Sequence, residues 1–399
     1  SGELPFLDFG AWEAVIDEFG LNADVSIEDE IAAHVASAEL SIEKFLLYYL
    51  PLDGVEMLVT RGQSQWIASL RNGMLDGELI ILDDDNAPLG INLNWLSFES
   101  EGDAVDPLYD LNPVEVTDVD FSTRRLLVDG EDFGHWSFKY RGTEHGGRFE
   151  DLAAVALGLQ VTAGSLGEWD YKNGQHGSRF TGDITIDDLA KAQQNFGFAS
   201  SIEGEGLKFK ADVSWQGSPA MLDIERVSGE VEIVEGRGRF VQAETGNALK
   251  LLGIFDFASL ARRFRFDFSD VIDEGFEFTE IQGVVSFDEG EVVIQKPIVI
   301  HGSSGKFTVG GSMNVVSGVL DNDMIVTFPV GRTLPWYAAY SAIATGPLAG
   351  AGVMLAQKVF ENQINQMSSA KYKISGSIEE PDIQFVSIFN NSVRDPPLE

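Results

Sequence analysis

Apolar and polar residues alternate along many stretches of the chain. In residues 207–215 every odd position is apolar and every even position is polar, and similar patterns recur over 180–186, 227–233, 307–315 and 372–378. An alternation of period two is typical of a β-strand with one buried and one solvated face. Antiparallel sheets commonly show it, so the sequence predicts a mainly β protein built from antiparallel strands.

Turn signals separate several of these runs at hairpin spacing. Asn, Asp and Gly tolerate the positive backbone angles that tight hairpin turns require. We therefore expect hairpin turns at Lys172-Asn173-Gly174, Asp288-Glu289-Gly290 and Asp321-Asn322-Asp323.

Helical periodicity is confined to a few segments. Apolar residues at spacings of three and four, from Ile31 to Tyr49, predict a helix at about residues 27–50 that ends at Pro51. Shorter helices are expected at about residues 9–19, 187–195 and 256–264.

Residues 333–370 form a candidate C-terminal helical element with few charges. It is broken at Gly346-Pro347, because proline begins a helix more readily than it continues one. Aromatic residues of the kind found at membrane interfaces lie at one end of it, namely Trp336, Tyr337 and Tyr340. The pattern leaves open whether this element packs over the end of the sheet or touches a membrane. A last strand and tail follow over residues 371–399.

The apolar faces of so many strands must be shielded from water. The few predicted helices have too little apolar surface to shield them. Either the sheet folds onto itself as a sandwich, or a molecule that is not protein occupies the face. Alternation fits both arrangements equally.

The chain is strongly acidic. Its 399 residues include 64 acidic and 27 basic side chains, a formal net charge of -37. Nucleic-acid binding depends on neutralising phosphates with Lys and Arg, so this charge excludes such a function. There is no cysteine, which excludes disulfides and thiolate chemistry. Residues 1–5 lack the features of a secretory signal, and we expect the chain to be a fragment of a longer protein.

The sequence contains no recognisable catalytic or metal-binding motif. The five histidines are scattered, without the HxH or HExxH spacing of metal ligands, and no GxSxG or P-loop pattern occurs. We expect no enzyme activity, no metal and no cofactor. The one basic cluster comprises Arg262, Arg263 and Arg265, with Asp267 and Asp270 close behind. It fits either a clamp for an anionic head group or ion pairing within the protein.

From about residue 167 onward, a succession of motifs resembles one protein family. The motifs include Gly167-Glu168-Trp169, Ser178-Arg179-Phe180-Thr181-Gly182, the segments 211–219 and 260–270, and Tyr372-Lys373-Ile374-Ser375-Gly376. Their order resembles the C-terminal region of the YhdP family, among the AsmA-like and TamB-like proteins of Gram-negative envelopes. The resemblance covers about residues 45–388.

This resemblance implies a fold and a function. Such proteins form an elongated, curved antiparallel sheet whose apolar side is an open groove, a β-taco-like shape, which here would run continuously over residues 1–332. They are anchored in the inner membrane by a segment that this chain lacks, extend through the periplasm and carry phospholipid towards the outer membrane. The implied partners are phospholipid or another acyl lipid and other envelope proteins. No catalytic residue or cofactor is implied.

Under this interpretation the apolar strand faces line the groove. Each acyl CH₂ group removed from water is worth about 0.8 kcal/mol, so such a lining shields lipid tails while head groups stay in water. The candidate lining residues are Phe180, Ile184, Leu207, Phe209, Val213, Val231, Ile233, Phe307, Val309 and Met313. The three arginines would contact head groups, and the three aromatic residues of the C-terminal element would lie near a membrane.

Two other function classes remain open at this stage. The chain fits a non-enzymatic assembly or structural factor that binds other envelope proteins through exposed strand edges. An enzyme acting on carbohydrate is a third hypothesis, and it would need a cleft with two carboxylates at a defined separation.

Overall fold

β-Strands make up most of the fold. The computed structural model describes residues 1–11, 37–47, 50–84, 86–99, 106–195, 200, 202–240, 276–302, 305–328, 368–378, 381–388 and 393. Within these residues 22 strands belong to one open, mixed sheet. The prediction of a mainly β protein with an open sheet is confirmed, and the sheet includes parallel as well as antiparallel pairs.

The strands up to residue 172 are β1 (Gly2–Leu4), β2 (Leu7–Asp8), β3 (Ser37–Leu47), β4 (Leu50–Arg61), β5 (Gln65–Arg71), β6 (Leu75–Leu82), β7 (Leu89–Phe98), β8 (Val119–Thr123), β9 (Leu126–Val128), β10 (Glu131–Asp132), β11 (His135–Thr143), β12 (Gly146–Ala156) and β13 (Leu159–Lys172). Those that follow are β14 (Gln175–Ile186), β15 (Ile202–Gln216), β16 (Ser228–Phe240), β17 (Phe276–Asp288), β18 (Glu291–Gly302), β19 (Gly305–Asn314), β20 (Val319–Phe328), β21 (Ser368–Ser377) and β22 (Pro381–Ile388). The described helical elements with defined bounds are α1 (Leu189–Asn195) and the 3-10 turns Pro113–Glu115 and Pro219–Met221.

The chain divides into two compact units. Unit 1 comprises Ser1–Gly182 and Ser214–Leu222, and unit 2 comprises Asp183–Val213 and Asp223–Glu399. The prediction of one continuous groove over residues 1–332 stays a prediction.

Unit 1 combines antiparallel ladders with a parallel step. Strands β3 to β7 pair antiparallel, each with the next, as do β11, β12 and β13. Strand β7 instead runs parallel to β8, with Leu89 opposite Val119. Parallel neighbours need a crossover connection across one face of the sheet. Residues 106–118, the described part of the connection between β7 and β8, include Leu108, Leu111 and Val116, which pack against apolar side chains of the sheet.

Unit 2 contains an antiparallel ladder in which β16 to β22 pair in chain order. The hairpin turn predicted at 288–290 is confirmed, with positive φ angles at Glu289 (44°) and Gly290 (89°). The predicted turn at 172–174 is confirmed as well, with positive φ at Asn173 and Gly174.

The predicted turn at 321–323 is wrong, because these residues lie inside β20. Asp321 and Asp323 form ion pairs with Lys373 and Lys371 on the neighbouring strand β21. Asn322, between them, is buried at 2% exposure. A polar triplet that resembles a turn here lies within a strand, where Asn322 and Asp323 are both buried.

The predicted helix at 27–50 is wrong for residues 37–47 and for residue 50, which belong to strands β3 and β4. Ile42 and Phe45, three residues apart, are both buried, at 1% exposure each. The paired strand β4 contains Gly54 at this level, with a φ of 62°, and its own buried residues are also three apart there. The interrupted alternation imitates the spacing of a helix.

The remaining helix predictions have mixed outcomes. Helix α1 lies within the predicted segment 187–195, and residues 9–11 are helical within the predicted segment 9–19. At the end of the predicted element 333–370, residues 368–370 begin strand β21. Residues 371–399 contain the rest of β21 and all of β22, so two strands contribute where one was expected. Residues 12–36, 256–264 and 333–367 lie outside the described residues.

Candidate functional site

One face of unit 1 buries apolar side chains from strands between β3 and β13. On β4, Leu52, Val55 and Met57 are buried, whereas Asp53 and Glu56 between them are exposed. Pleating thus sends the apolar residues to one side of the sheet. The buried members of this cluster, which we call the unit-1 apolar face, are Ile42, Phe45, Leu52, Val55, Met57, Ala68, Leu70, Leu75, Leu79, Leu89, Leu93, Leu96, Val119, Tyr140 and Trp169.

A cavity of about 240 Å³ lies on the unit-1 apolar face, and we call it the unit-1 cavity. Phe138 forms part of its wall and contacts two other aromatic rings, Phe121 at 4.8 Å and Phe149 at 5.1 Å between ring centroids. None of the described residues that line the cavity is charged. The lining residues are Leu47, Leu50, Leu70, Leu75, Leu79, Ile91, Leu93, Leu96, Leu111, Val116, Val119, Phe121, Phe138, Tyr140, Phe149 and Trp169. Such a lining suits an apolar ligand and offers no group for acid–base chemistry.

Polar side chains of the same strands form exposed ion pairs. Arg71 Nε lies 2.7 Å from Asp76 Oδ1, and Lys139 Nζ lies 2.7 Å from Asp151 Oδ2. Exposed pairs of this kind are worth about 0–1 kcal/mol each. They mark the solvated side of the sheet and add little to its stability.

Residues 106–118 form a segment that we call the strap. It is the described part of the crossover between β7 and β8, and it contains the 3-10 turn Pro113–Glu115. Leu108, Leu111 and Val116 pack against the unit-1 apolar face, and the last two also line the unit-1 cavity. The strap therefore forms one wall of the cavity, and the sheet forms the rest.

Asp106 fastens the start of the strap. Its Oδ1 accepts hydrogen bonds from Ser218 Oγ at 2.6 Å and from Leu108 N at 3.0 Å, and its Oδ2 accepts one from Ser218 N at 2.9 Å. Burial by itself raises the pKa of this carboxyl, but the hydrogen bonds from Ser218 and Leu108 outweigh it and hold the pKa below its ordinary value. Ser218 is fully buried. The contact with Ser218 therefore stabilises the charged form of Asp106.

His176 holds the strap at a second point. Trp169 Nε1 donates to His176 Nδ1 at 3.0 Å, and His176 Nε2 lies 2.9 Å from the carbonyl oxygen of Tyr109. Because an indole N–H is only a donor, Nδ1 is the acceptor and Nε2 carries the proton that it donates to Tyr109. His176 is buried at 8% exposure. His176, which has no metal-ligand pattern around it in the sequence, here joins Trp169 to the strap.

Tyr140 holds the strap at a third point, in its 3-10 turn. The buried Tyr140 hydroxyl donates to the carbonyl oxygen of Pro113. Burial and the nearby Asp118 raise the pKa of Tyr140 to about 12, so the hydroxyl keeps its proton. Its ring lies over Gly147, where a Cβ would come within 2.2 Å of the Tyr140 oxygen. The ring needs a glycine beneath it to reach the strap.

Unit 2 has an apolar face of its own, formed by strands from β16 to β22. Among the predicted lining residues, Phe307 and Val309 are buried in it at 6% and 2% exposure, and Ile233 and Met313 pack against it. The buried members of this cluster, the unit-2 apolar face, are Phe240, Phe278, Ile298, Ile300, Phe307, Val309, Leu320, Met324, Val326, Tyr372, Ile374 and Ile378.

The other predicted lining residues lie on strands β14 to β16, outside the described members of both buried clusters. Leu207 and Val213 are buried, and the remaining four are half-buried, namely Phe180, Ile184, Phe209 and Val231. Leu207 lies against Gly236, where a Cβ would come within 2.7 Å of its Cγ. A glycine at that position therefore makes room for the leucine.

Sequence reasoning missed the unit-1 apolar face, since none of the ten candidates belongs to it. A signal for it exists in β6, where the buried Leu75, Gly77 and Leu79 alternate with Asp76 and Glu78. The strap had no such signal. The three candidate head-group arginines, Arg262, Arg263 and Arg265, and the three candidate membrane-proximal residues, Trp336, Tyr337 and Tyr340, lie outside the described residues.

Comparison with known proteins identifies the family. A family model described as "YhdP protein" matches residues 1–383. The chain belongs to the YhdP family. A YhdP relative from Escherichia coli (strain K12), named intermembrane phospholipid transporter, is 28% identical over 220 residues. This match covers 55% of the chain and 17% of the relative, so the match spans less than a fifth of that YhdP protein. No solved structure matches the chain.

Two further observations bear on this member of the YhdP family. Within the described residues, no helix has the length and apolar character needed to cross a bilayer. The same residues bring together no group of three or more His, Asp or Glu side chains that could hold a metal ion.

Proposed function

We propose that this chain is a section of a periplasmic lipid conduit, which shields the acyl chains of phospholipid in passage between the inner and outer membranes. The observation that carries the proposal is the unit-1 apolar face, with an uncharged cavity on it. The apolar face of unit 2 supports it as a second surface of the same chemistry. The printed name of the E. coli relative supports phospholipid as the ligand class.

The energetics favour a smooth, apolar lining. At about 0.8 kcal/mol for each CH₂ group, moving a sixteen-carbon acyl chain through water costs about 12 kcal/mol. A lining of Leu, Ile, Val and Phe removes most of that cost at every point along the path. Because it contains few convergent polar groups, no position holds the lipid tightly enough to stop its movement.

Residues that contact the polar part of the lipid complete the proposal. In it, Arg262, Arg263 and Arg265 contact anionic head groups, and Trp336, Tyr337 and Tyr340 lie near a membrane surface. The ten predicted lining residues on strands β14 to β19 extend the path. Their chemistry supports these roles, through charge complementarity in the first case and amphipathic rings in the second.

A pair of charge substitutions on strand β7 tests the conduit. Ile91 lines the unit-1 cavity, whereas its neighbour Asn92 is exposed. Ile91→Asp places an unpaired carboxylate on the apolar face, which is costly beside an acyl chain. We expect the phospholipid that co-purifies with the chain, quantified by mass spectrometry of organic extracts, to fall at least threefold.

Asn92→Asp is the matched control, because it adds the same charge to the same strand on the solvated face. It should leave the lipid content unchanged, and circular dichroism should show that both variants keep the strand content of the original chain. Absence of phospholipid from the original chain, or equal lipid content in the two folded variants, would refute the proposed function.

A second candidate function draws on the edge strand β22. Among the described strands it pairs with β21 alone, and it exposes Val386 at 52%. An exposed strand edge with an apolar residue is a template for pairing with another chain, which favours a factor that binds envelope proteins. Crosslinks from β22 to protein, with no phospholipid in the purified chain, would support this function over the conduit.

A further inference from the structure

The strap occupies space on the unit-1 apolar face that an acyl chain would otherwise fill. Leu108, Leu111 and Val116 contribute aliphatic side chains to the face, and two of them line the cavity. Their neighbours Val114 and Glu115 are exposed. The strap therefore presents aliphatic side chains to the sheet, as a bound lipid tail would, and places other residues in water.

Hydrogen bonds fasten the strap at several points, and at its end Asp118 accepts from Gly142 N at 2.9 Å and from Leu89 N at 2.8 Å. Asp106 binds Ser218, the Tyr109 carbonyl accepts from His176, and the Pro113 carbonyl accepts from Tyr140. None of the described strap residues belongs to a β-strand. Each side-chain hydrogen bond exchanged for bonds to water costs about 0.5–1.5 kcal/mol net, whereas a strand is lost from a sheet cooperatively. The strap is thus the part of this face that can leave without disrupting the ladder.

The cavity under the strap is too small for a lipid. Its volume of about 240 Å³ lies below the roughly 300–1,000 Å³ of pockets that enclose drug-sized ligands. A phospholipid with two acyl chains is larger than such ligands. With the strap in place, the unit-1 cavity accepts only part of one acyl chain.

We propose that the strap is a gate on the unit-1 apolar face. Fastened at Asp106, His176 and Tyr140, it closes the face to a passing acyl chain. Released from Ser218 and His176, it exposes the apolar wall made by β5 to β8 and β11. The gate rests on the proposed conduit function, and the experiment below separates the failure of one from the failure of the other.

A reversible disulfide tests the gate. The chain has no cysteine, so Asp106→Cys with Ser218→Cys introduces the sole thiol pair, at positions whose side chains touch. Oxidation locks the strap, and reduction leaves it without its Asp106 contact. The probe is phosphatidylethanolamine with a diazirine on one acyl chain, and mass spectrometry maps the labelled peptides after illumination.

The gate predicts unit-specific labelling. Peptides of β6 and β11 in unit 1 should be labelled at least fivefold less in the oxidised than in the reduced protein, whereas labelling of β19 in unit 2 should be the same in both. Equal labelling of the unit-1 peptides in both states, with unit 2 labelled, overturns the gate and leaves the conduit standing. No labelling of either apolar face overturns the conduit and the gate with it. The original chain, treated with the same oxidant and reductant, should not respond.

A second pair of variants tests the gate without cysteines. Leu111→Ala removes a side chain that the strap places in the cavity wall, and Val114→Ala removes one that is 44% exposed on the same strap. Leu111→Ala should raise the labelling of β6 and β11 at least twofold over the original chain, and Val114→Ala should leave it unchanged. Equal labelling in the two variants would show that the strap is a fixed cover.

Discussion

At the scale of single residues, three polar groups beside the unit-1 apolar face bind the strap. Asp106, His176 and Tyr140 each use a hydrogen bond to fix a point of it. Each belongs to a residue type that is costly to bury without a partner. These three residues lie beside an otherwise aliphatic and aromatic surface because they hold the strap there.

Asp106→Asn tests the first of these contacts. The amide would place donor hydrogens where Ser218 also donates, so we expect the free energy of unfolding at pH 7 to fall by about 1–2 kcal/mol. Because the pKa of Asp106 is lowered in the folded protein, its contribution is complete above its ordinary pKa near 3.9 and is lost as the pH falls through the lowered value. The difference between variant and original should therefore shrink below about pH 4.

Urea unfolding at several pH values measures this difference. Asp110→Asn is the control, since Asp110 is an exposed carboxylate on the same strap. It should change the free energy of unfolding by less than about 0.5 kcal/mol at every pH. A difference between the Asp106 variant and the original that stays constant from pH 7 to pH 3 would contradict the role assigned to its charge.

At the scale of elements, many strands and two hairpin turns could be predicted, whereas strand β3 and the parallel pairing of β7 with β8 could not. Alternation over 207–215 and 372–378 predicts β15 and β21, because a strand with one buried face has apolar residues at every second position. The parallel pairing of β7 with β8 produces no comparable pattern in the sequence. The contact between Asp106 and Ser218 joins residues 112 positions apart, so no local pattern contains it. The strap and its cavity were for that reason invisible in the sequence.

The contact between strand β11 and the 3-10 turn of the strap is testable by Tyr140→Phe. The change keeps the ring over Gly147 but leaves the buried Pro113 carbonyl without its donor, which should lower the free energy of unfolding by about 1–3 kcal/mol. Thermal or urea unfolding measures the loss. Tyr109→Phe removes a hydroxyl from a side chain that is 62% exposed and should change stability by less than about 0.5 kcal/mol. Equal losses in both variants would argue against the contact.

At the scale of the whole molecule, the excess of 37 negative charges lies beside two large apolar faces. On the described strands the acidic residues are mostly at exposed positions, as Asp53 and Glu56 are on β4. Mutual repulsion between copies opposes the pairing of apolar faces and strand edges. We therefore expect the charge to keep copies of the chain from associating through these faces.

Neutralising that charge should make copies of the chain associate. The isoelectric point is near 4.3, where repulsion between copies vanishes. We expect the mean mass from light scattering to rise several-fold between pH 7 and pH 4.3 at constant protein concentration, and to fall again when the pH is restored. A mean mass that is the same at both pH values would show that the charge has no such role.

The parallel step between β7 and β8 also separates the two ends of the connection that contains the strap. Phe98 ends β7 nine residues beyond Leu89, which lies opposite the start of β8, so these two ends lie about 30 Å apart at 3.3 Å for each residue. Because the chain continues into the sheet at both ends, the proposed gate opens by lifting the middle of the strap, and an acyl chain enters along the sheet beneath it.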